Sequence, residues 1–374
     1  MASIPQVSRD MRRLFEVEAG PLARQVGLRQ RTMSFSQLAF LLVLGWWQQP
    51  QAGPSALKTL WQGCGGKGRK PGHEATSEAA LKITLRYDLL GGRLDGPHVQ
   101  AGRQHELRSV LHEHQMPRGS LWMADLGYWT LKWLRALCQQ GVYFLLRSKA
   151  GIVLWCGQQR LDLVEVLPKQ VGERLELLVD VGANRVVKGV RLLAERVPQE
   201  VADLRQERMR AYARTHHKPV NPLVLELAQW TLIVTNVPAR MLSQEQAFAL
   251  LRARWQVELL FKLWKEQALV DEWDSAKPWR ILCEVYAKLL AMVIQHWVLL
   301  LACWQDPHRS LTGAAEVVRE QLPVLVHGLA GHVPLQRALR LVVKSVQGGC
   351  SIPQRTTRLS TSSRLLCAGE PGLT

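Results

Sequence analysis

Five segments between Val142 and Val197 either alternate apolar and polar side chains or run apolar between turn residues: VYFLLRS, IVLW, LDLVEVL, ERLELLVDVG and RVVKGVRLLAERV. Side chains of a strand point alternately to its two faces, so this run predicts an antiparallel, β-rich stretch. WTLIVTNV, at 230–237, follows as a buried strand. Upstream, LKITLRYDLL, the turn Gly91-Gly92 and RLDGPHVQ predict a hairpin, and the segment from Gln104 to Gln115 a short helix. SLWMADLGYW then carries an apolar run that ends in Asp125, and Gly127 turns the chain into the amphipathic helix WTLKWLRALCQQ. The resulting order of strands and helices predicts a mixed α/β core interrupted by a second module.

A second stretch concentrates charge. LLRARWQVELLFKLWKE, residues 250–266, has no Pro or Gly, and Ser243 with Gln246 forms an S-x-x-Q capping box, so a continuous helix is expected from about Ser243. At roughly 100° per residue, Leu251, Arg254, Glu258 and Lys265 share one stripe, a carboxylate between cations. Such a stripe suits phosphate chemistry, and an i, i+4 pair such as Arg254 and Glu258 also suits a solvated helix face. Asp125 carries the same two readings. A carboxylate at the carboxyl end of a strand is where open α/β sheets keep their chemistry, and an acid there also caps a following helix.

Charge narrows the partner. Lys and Arg number 48 against 31 Asp and Glu, a formal net charge of +17, which points to a polyanion, nucleic acid first. The longest apolar run, from Ile281 to Trp304, is interrupted by Glu284, Lys288 and His296, and reads as a core helix and not a membrane span. No secretory signal is visible at the N-terminus. Seven widely spaced cysteines without a C-x-x-C predict reduced thiols in a cytosolic protein and no zinc site. A formal G-x-G-x-x-G at Gly63, Gly65 and Gly68 lacks a following helix, because Arg69-Lys70-Pro71 forbids one, and reads as a flexible basic loop.

On these residues the chain resembles a known family. Arg254, Glu258 and Lys265, spaced from position 251, are similar to the Y-R-E-K signature of insertion-sequence transposases of the DDE superfamily, and MADLGYWTLKWL with GVYFLLRSK resembles the surroundings of that family's second catalytic aspartate. RWQVELLFKLWK, WTLIVTNVP and AALKITLRYDLLGGRLDG share its texture, so the resemblance covers about residues 57–270. It implies a ribonuclease H-like mixed-sheet core interrupted by an antiparallel β-rich insertion, with helical N- and C-terminal parts. It also implies that Asp125 and Glu258 are two of three carboxylates holding Mg2+ or Mn2+. Arg254, Lys262 and Lys265 would then grip DNA phosphates. Transposon ends and target DNA are the implied partners, a homodimer in a synaptic complex the implied assembly, and a nucleoid-associated cytoplasmic location the implied setting.

Two positions depart from the pattern. Position 251 is Leu in place of Tyr, and no Asp or Glu occurs from Ala19 to His73, where the opening core strand should bring the first aspartate. The sequence therefore supports the hypothesis of an internal deletion that removed the opening strand, with Asp88 or Asp95 entering the metal site as the counter-hypothesis. The expected function is metal-dependent cleavage and strand transfer at element ends, and its alternative an internally deleted, inactive derivative that only binds DNA. The expected organisation is a helical N-terminal unit (1–47), a basic Gly-rich loop (48–79), a core in two parts (80–141 and 229–270) around an insertion and basic segment (142–228), C-terminal helices (271–347) and a disordered tail (348–374).

Overall fold

Four of the five segments after Val142 pair into one sheet. The structure is a computed structural model that describes residues 2–18, 35–48, 50–51, 81–102, 108–273, 275, 277–304, 306 and 308–351. The expected loop at 52–79, its three glycines and the tail beyond 351 lie outside the described residues. In chain order come α1 (Ile4–Arg12), a π-helical turn (Arg13–Glu18), α2 (Phe35–Gln48), β1 (Leu81–Tyr87), β2 (Leu94–Ala101), β3 (Leu121–Trp122), α3 (Leu131–Gln140) and β4 (Tyr143–Arg147). β5 (Leu154–Cys156), β6 (Gln159–Arg160), α4 (Leu163–Val166), β7 (Arg174–Val181), β8 (Val187–Arg196), α5 (Gln199–Thr215), α6 (Pro222–Leu227) and β9 (Trp230–Thr235) follow. Then α7 (Gln244–Ala253), α8 (Gln256–Ala268), α9 (Pro278–Ala302), α10 (Leu311–Glu320), α11 (Leu322–Leu329) and α12 (Leu335–Gly348) complete the chain. These elements divide into two units, residues 1–102 with 256–357 and residues 103–255 with 358–374.

The unit built on residues 103–255 holds a seven-stranded mixed sheet in the order β3-β4-β9-β8-β7-β5-β6. β3 and β4 are parallel, and every other pair is antiparallel. Alternation sends Phe144, Leu146, Val190, Leu192, Leu232 and Val234 to one apolar cluster, shared with Leu134 and Leu137 of α3. Leu145, Leu193 and Ile233 go to the other, with Ala247 and Phe248 of α7. Both faces of the sheet are thus buried, which is why its central strands read as nearly continuous apolar runs. Gly141 ends α3 at φ +69°, a conformation open to Gly at little cost, and lets the chain turn straight into β4.

The other unit is a helical core with a hairpin on it. Val7 and Met11 of α1, Val43 and Trp47 of α2, Leu263 and Trp264 of α8, and the buried faces of α9 to α12 form one cluster. The N-terminal helices therefore share a core with the C-terminal ones, in place of the separate N-terminal unit expected from the sequence. The β1–β2 hairpin packs against this cluster through Leu81, Ile83, Leu85, Tyr87, Leu94 and Val99. Its tip is fastened by Gly92, at φ +69°. The Gly92 carbonyl accepts from His296 Nε2 at 2.7 Å, and Tyr87 meets His296 and Trp304 edge to face. α9 is long and apolar enough to cross a membrane, yet it is mostly buried inside this unit, as a core helix would be.

Several expectations need correction. LDLVEVL is not a strand: Asp162 caps α4, its Oδ1 accepting from the Val164 N–H at 2.9 Å, and Leu163 and Leu167, four apart, both reach the core. Apolar residues at that spacing serve a helical turn as well as a strand, and the cap decides between them. Of the helix expected from Gln104 to Gln115, residues 104–107 lie outside the described residues, and the rest includes a 3-10 turn at Val110–His112 with Leu111 buried. The C-terminal region, helical as expected, divides after α9 into three helices, interrupted where Pro323 lacks a donor and where Gly331 and Pro334 redirect the chain. The basic segment at 201–218 is ordered as α5.

The continuous helix expected from Ser243 to Glu266 is also broken. Its start is as expected, with both capping-box bonds formed between Ser243 and Gln246. It stops at Ala253, the Trp255 N–H turning back to the Arg252 carbonyl at 3.1 Å, and α8 begins at Gln256. Neither Gly nor Pro causes the break. The buried side chains of α7 belong to the sheet's core and those of α8 to the helical core, so the helix ends where its buried face changes allegiance.

Candidate active site

The parallel pair β3–β4 brings two strand ends together. From Trp122 the chain runs through Met123 and Ala124 to Asp125, which is exposed and starts a 3-10 turn at Leu126–Tyr128. Asp125 Oδ1 accepts from the Leu126 N–H at 2.9 Å. The capping role of Asp125 is therefore real, although it serves this turn, because Thr130 caps α3. A carboxylate has two oxygens and about four acceptor sites, so one cap bond does not exhaust it.

At the matching end of β4 stands Arg147. Partial burial, then the charge of Arg254, pull its guanidinium below the ordinary range, and the Asp125 carboxylate opposes both. Arg147 is thus within electrostatic reach of both Asp125, at the end of the neighbouring parallel strand, and Arg254, at the end of α7. Arg205 adds a third cation. It is fixed by bonds to the Ala228 carbonyl (3.2 Å), the Trp230 carbonyl (3.0 Å) and Thr231 Oγ1 (3.0 Å), and burial followed by the Arg147 charge lowers its pKa.

The remaining expected residues lie on α8, in the helical unit. Glu258 occupies its first turn, where the helix dipole favours a negative charge. Lys262 approaches Glu266 at 3.6 Å, and Lys265 pairs with Asp271 at 2.9 Å. The fold thus puts Arg254 with Asp125 in one unit, and Glu258 with Lys262 and Lys265 in the other.

Arg147 and Arg205 escape the sequence reading. The rule that singles out Asp125, a polar group at the carboxyl end of an apolar strand, applies equally to Arg147 at the end of VYFLLR. For Arg205 no local signal exists, since its partners lie more than twenty residues away.

Asp88 and Asp95 are occupied elsewhere. Asp88 Oδ1 caps the hairpin loop, accepting from the Leu90 N–H at 3.1 Å and the Gly91 N–H at 3.0 Å. Asp95 is ion-paired with Arg86 across the hairpin and lies 3.6 Å from His98. β1 and β2 pair only with each other, and among the described residues β3 has no strand on its outer edge.

Comparison with known proteins gives the family. A family profile described as Transposase DDE domain matches residues 58–294. The transposase for insertion sequence element IS231F of Bacillus thuringiensis subsp. israelensis is 25% identical over 260 residues, 64% of this chain and 53% of that protein. The transposase for IS1151 of Clostridium perfringens is 22% identical over 261 residues, with the same coverage. A putative transposase, InsL for IS186A of Escherichia coli (strain K12), is 33% identical over 101 residues, 27% of each chain. No solved structure matches. The chain spans about half the length of the IS231 and IS1151 relatives. With more than half of its residues inside the family profile, and insertion-sequence transposases as its relatives, this chain belongs to the DDE superfamily of transposases.

Proposed function

We propose that this chain binds the ends of an insertion sequence and cuts and joins DNA there with the help of a divalent cation. The observation that carries this reading is Asp125 and Arg147 at the carboxyl ends of the parallel strands β3 and β4, with Arg254 within electrostatic reach of Arg147, in a member of the DDE family. In the proposed fold, β3, β4 and β9 belong to a ribonuclease H-like core, which takes β4 out of the insertion expected over 142–228, and β5 to β8 are the insertion that extends its sheet. Among the described residues the opening strand of that core is represented by none.

The family implies Mg2+ or Mn2+, and the donors suit such an ion. Asp125 offers an exposed carboxylate, Glu258 a carboxylate in the first turn of α8, and hard cations take oxygen ligands. When bound, the ion supplies charge stabilisation at phosphorus and activation of water or a 3′-hydroxyl. The protein's own cations do the positioning. Arg147 and Arg254 offer planar donors that match phosphate oxygens in pairs, and Lys262 and Lys265 add point charges along α8. Pairing of two element ends would join two copies of the chain.

The test is a strand-transfer assay with Mg2+ or Mn2+, on a duplex carrying the inverted repeats that flank the coding segment. Products that disappear in Asp125→Asn and in Glu258→Gln support the proposal. Products undiminished by both substitutions overturn it, and specific binding without cleavage by the unaltered chain identifies an inactive, DNA-binding derivative.

A further inference from the structure

The basic segment 201–218, ordered as α5 and the turn after it, supplies cations that this site does not use. Its first turns balance Arg205 with Glu200, Asp203 and Glu207, but from Arg208 to Leu225 there is no carboxylate. Arg208, Arg210, Arg214 and Lys218 are all exposed there. Between them an exposed Tyr212 stacks its ring on His216, with centroids 3.9 Å apart. Stabilisation of the helix dipole accounts for cations in the last turn only, and Arg208 lies two turns before the end. Ala202 and Ala213 seat the helix on its own unit, and the three bonds of Arg205 tie it to the start of β9. β9 runs beside β4, where Ile233 is the register partner of Arg147. The acid-free stretch therefore begins three residues after the arginine that ties α5 to β9, the strand beside β4.

We infer that the second half of α5 is a docking surface for the phosphate backbone of duplex DNA, outlying from the reacting centre and independent of base sequence. This rests on the proposal that the chain handles DNA. At about 1.5 Å per residue, Arg208 to Arg214 span on the order of 9 Å, enough to meet phosphates across two or three base-pair steps.

The experiment measures binding of the full chain to a labelled duplex over a series of salt concentrations. It compares the unaltered chain with Arg208→Gln/Arg210→Gln/Arg214→Gln, with Arg214→Gln alone, and with Arg254→Ala as a probe of the site. Since each phosphate contact contributes about 0.9 to the slope of log affinity against log salt, the triple variant is expected to lower the slope by roughly two to three and Arg214→Gln by about one. The loss should be equal on element ends and on random duplex. If Arg254→Ala weakens binding while the triple and single α5 variants keep the parent slope, this inference falls and the DNA-binding proposal stands. An unaltered chain that binds no duplex overturns both.

Discussion

The ammonium of Lys288 lies 2.7 Å from the Glu284 carboxylate, one turn away on α9, with both side chains closed off from solvent. Lys288 also donates to the Leu269 carbonyl at 3.2 Å and to the Glu272 carbonyl at 2.9 Å, and so caps the end of α8. Removing one partner strands a buried charge. Lys288→Met or Glu284→Leu is expected to cost about 3–5 kcal/mol in urea denaturation. The double variant should recover part of that loss, leaving the two uncapped carbonyls as the residual cost of about 1–3 kcal/mol.

Gly92 should tolerate no side chain. Its φ of +69° is strained for other residues, and a Cβ built there would fall 2.2 Å from Leu300 Cδ2 and 2.8 Å from the Trp304 ring. Gly92→Ala is expected to destabilise the helical unit by about 2–5 kcal/mol, combining backbone strain with overpacking. Gly151, also at positive φ but with nothing near its added Cβ, is the control: Gly151→Ala should cost only the strain of about 1 kcal/mol. Thermal melts of the two variants separate the effects.

Acid should loosen the same region through His296. Burial lowers its pKa, only partly opposed by the bond to the Gly92 carbonyl. An unfolded histidine titrates near 6.5. As pH falls below that value the unfolded chain takes up a proton that the native ring resists, so stability present above about pH 6.5 is lost on the way down to the folded pKa. Melting temperatures at pH 7.5 and 5.5 should differ more for the parent chain than for His296→Gln.

At the candidate active site, Arg147→Ala should weaken DNA binding and lower the salt slope by about one. Asp125→Asn should leave binding at or above the parent level, because it removes a negative charge near the Arg147 guanidinium, and should abolish any cleavage. Parallel binding titrations and cleavage gels read these apart. Equal loss of binding in both variants would mean that Asp125 holds the local fold and not the chemistry.

Much of this was legible before any coordinates. The capping box at Ser243, the long strands β7 and β8, the core helix α9 and the position of Asp125 at a strand end all follow from local pattern, because caps and alternation act over a few residues. What escaped depends on distant partners. The Arg205 bonds cross more than twenty residues, and the merging of α1 and α2 with the C-terminal helices crosses most of the chain. The break after Ala253 escaped for a related reason. A helical wheel records which face is apolar but not which of two cores that face will join.

That break has a consequence for the family signature. Arg254 and Glu258, four positions apart in the text, belong to units with separate hydrophobic interiors, so helical pitch does not set the interval between their charged groups. A motif that looks like one printed line is shared here between two hydrophobic cores, its chain passing from one to the other at a single exposed tryptophan.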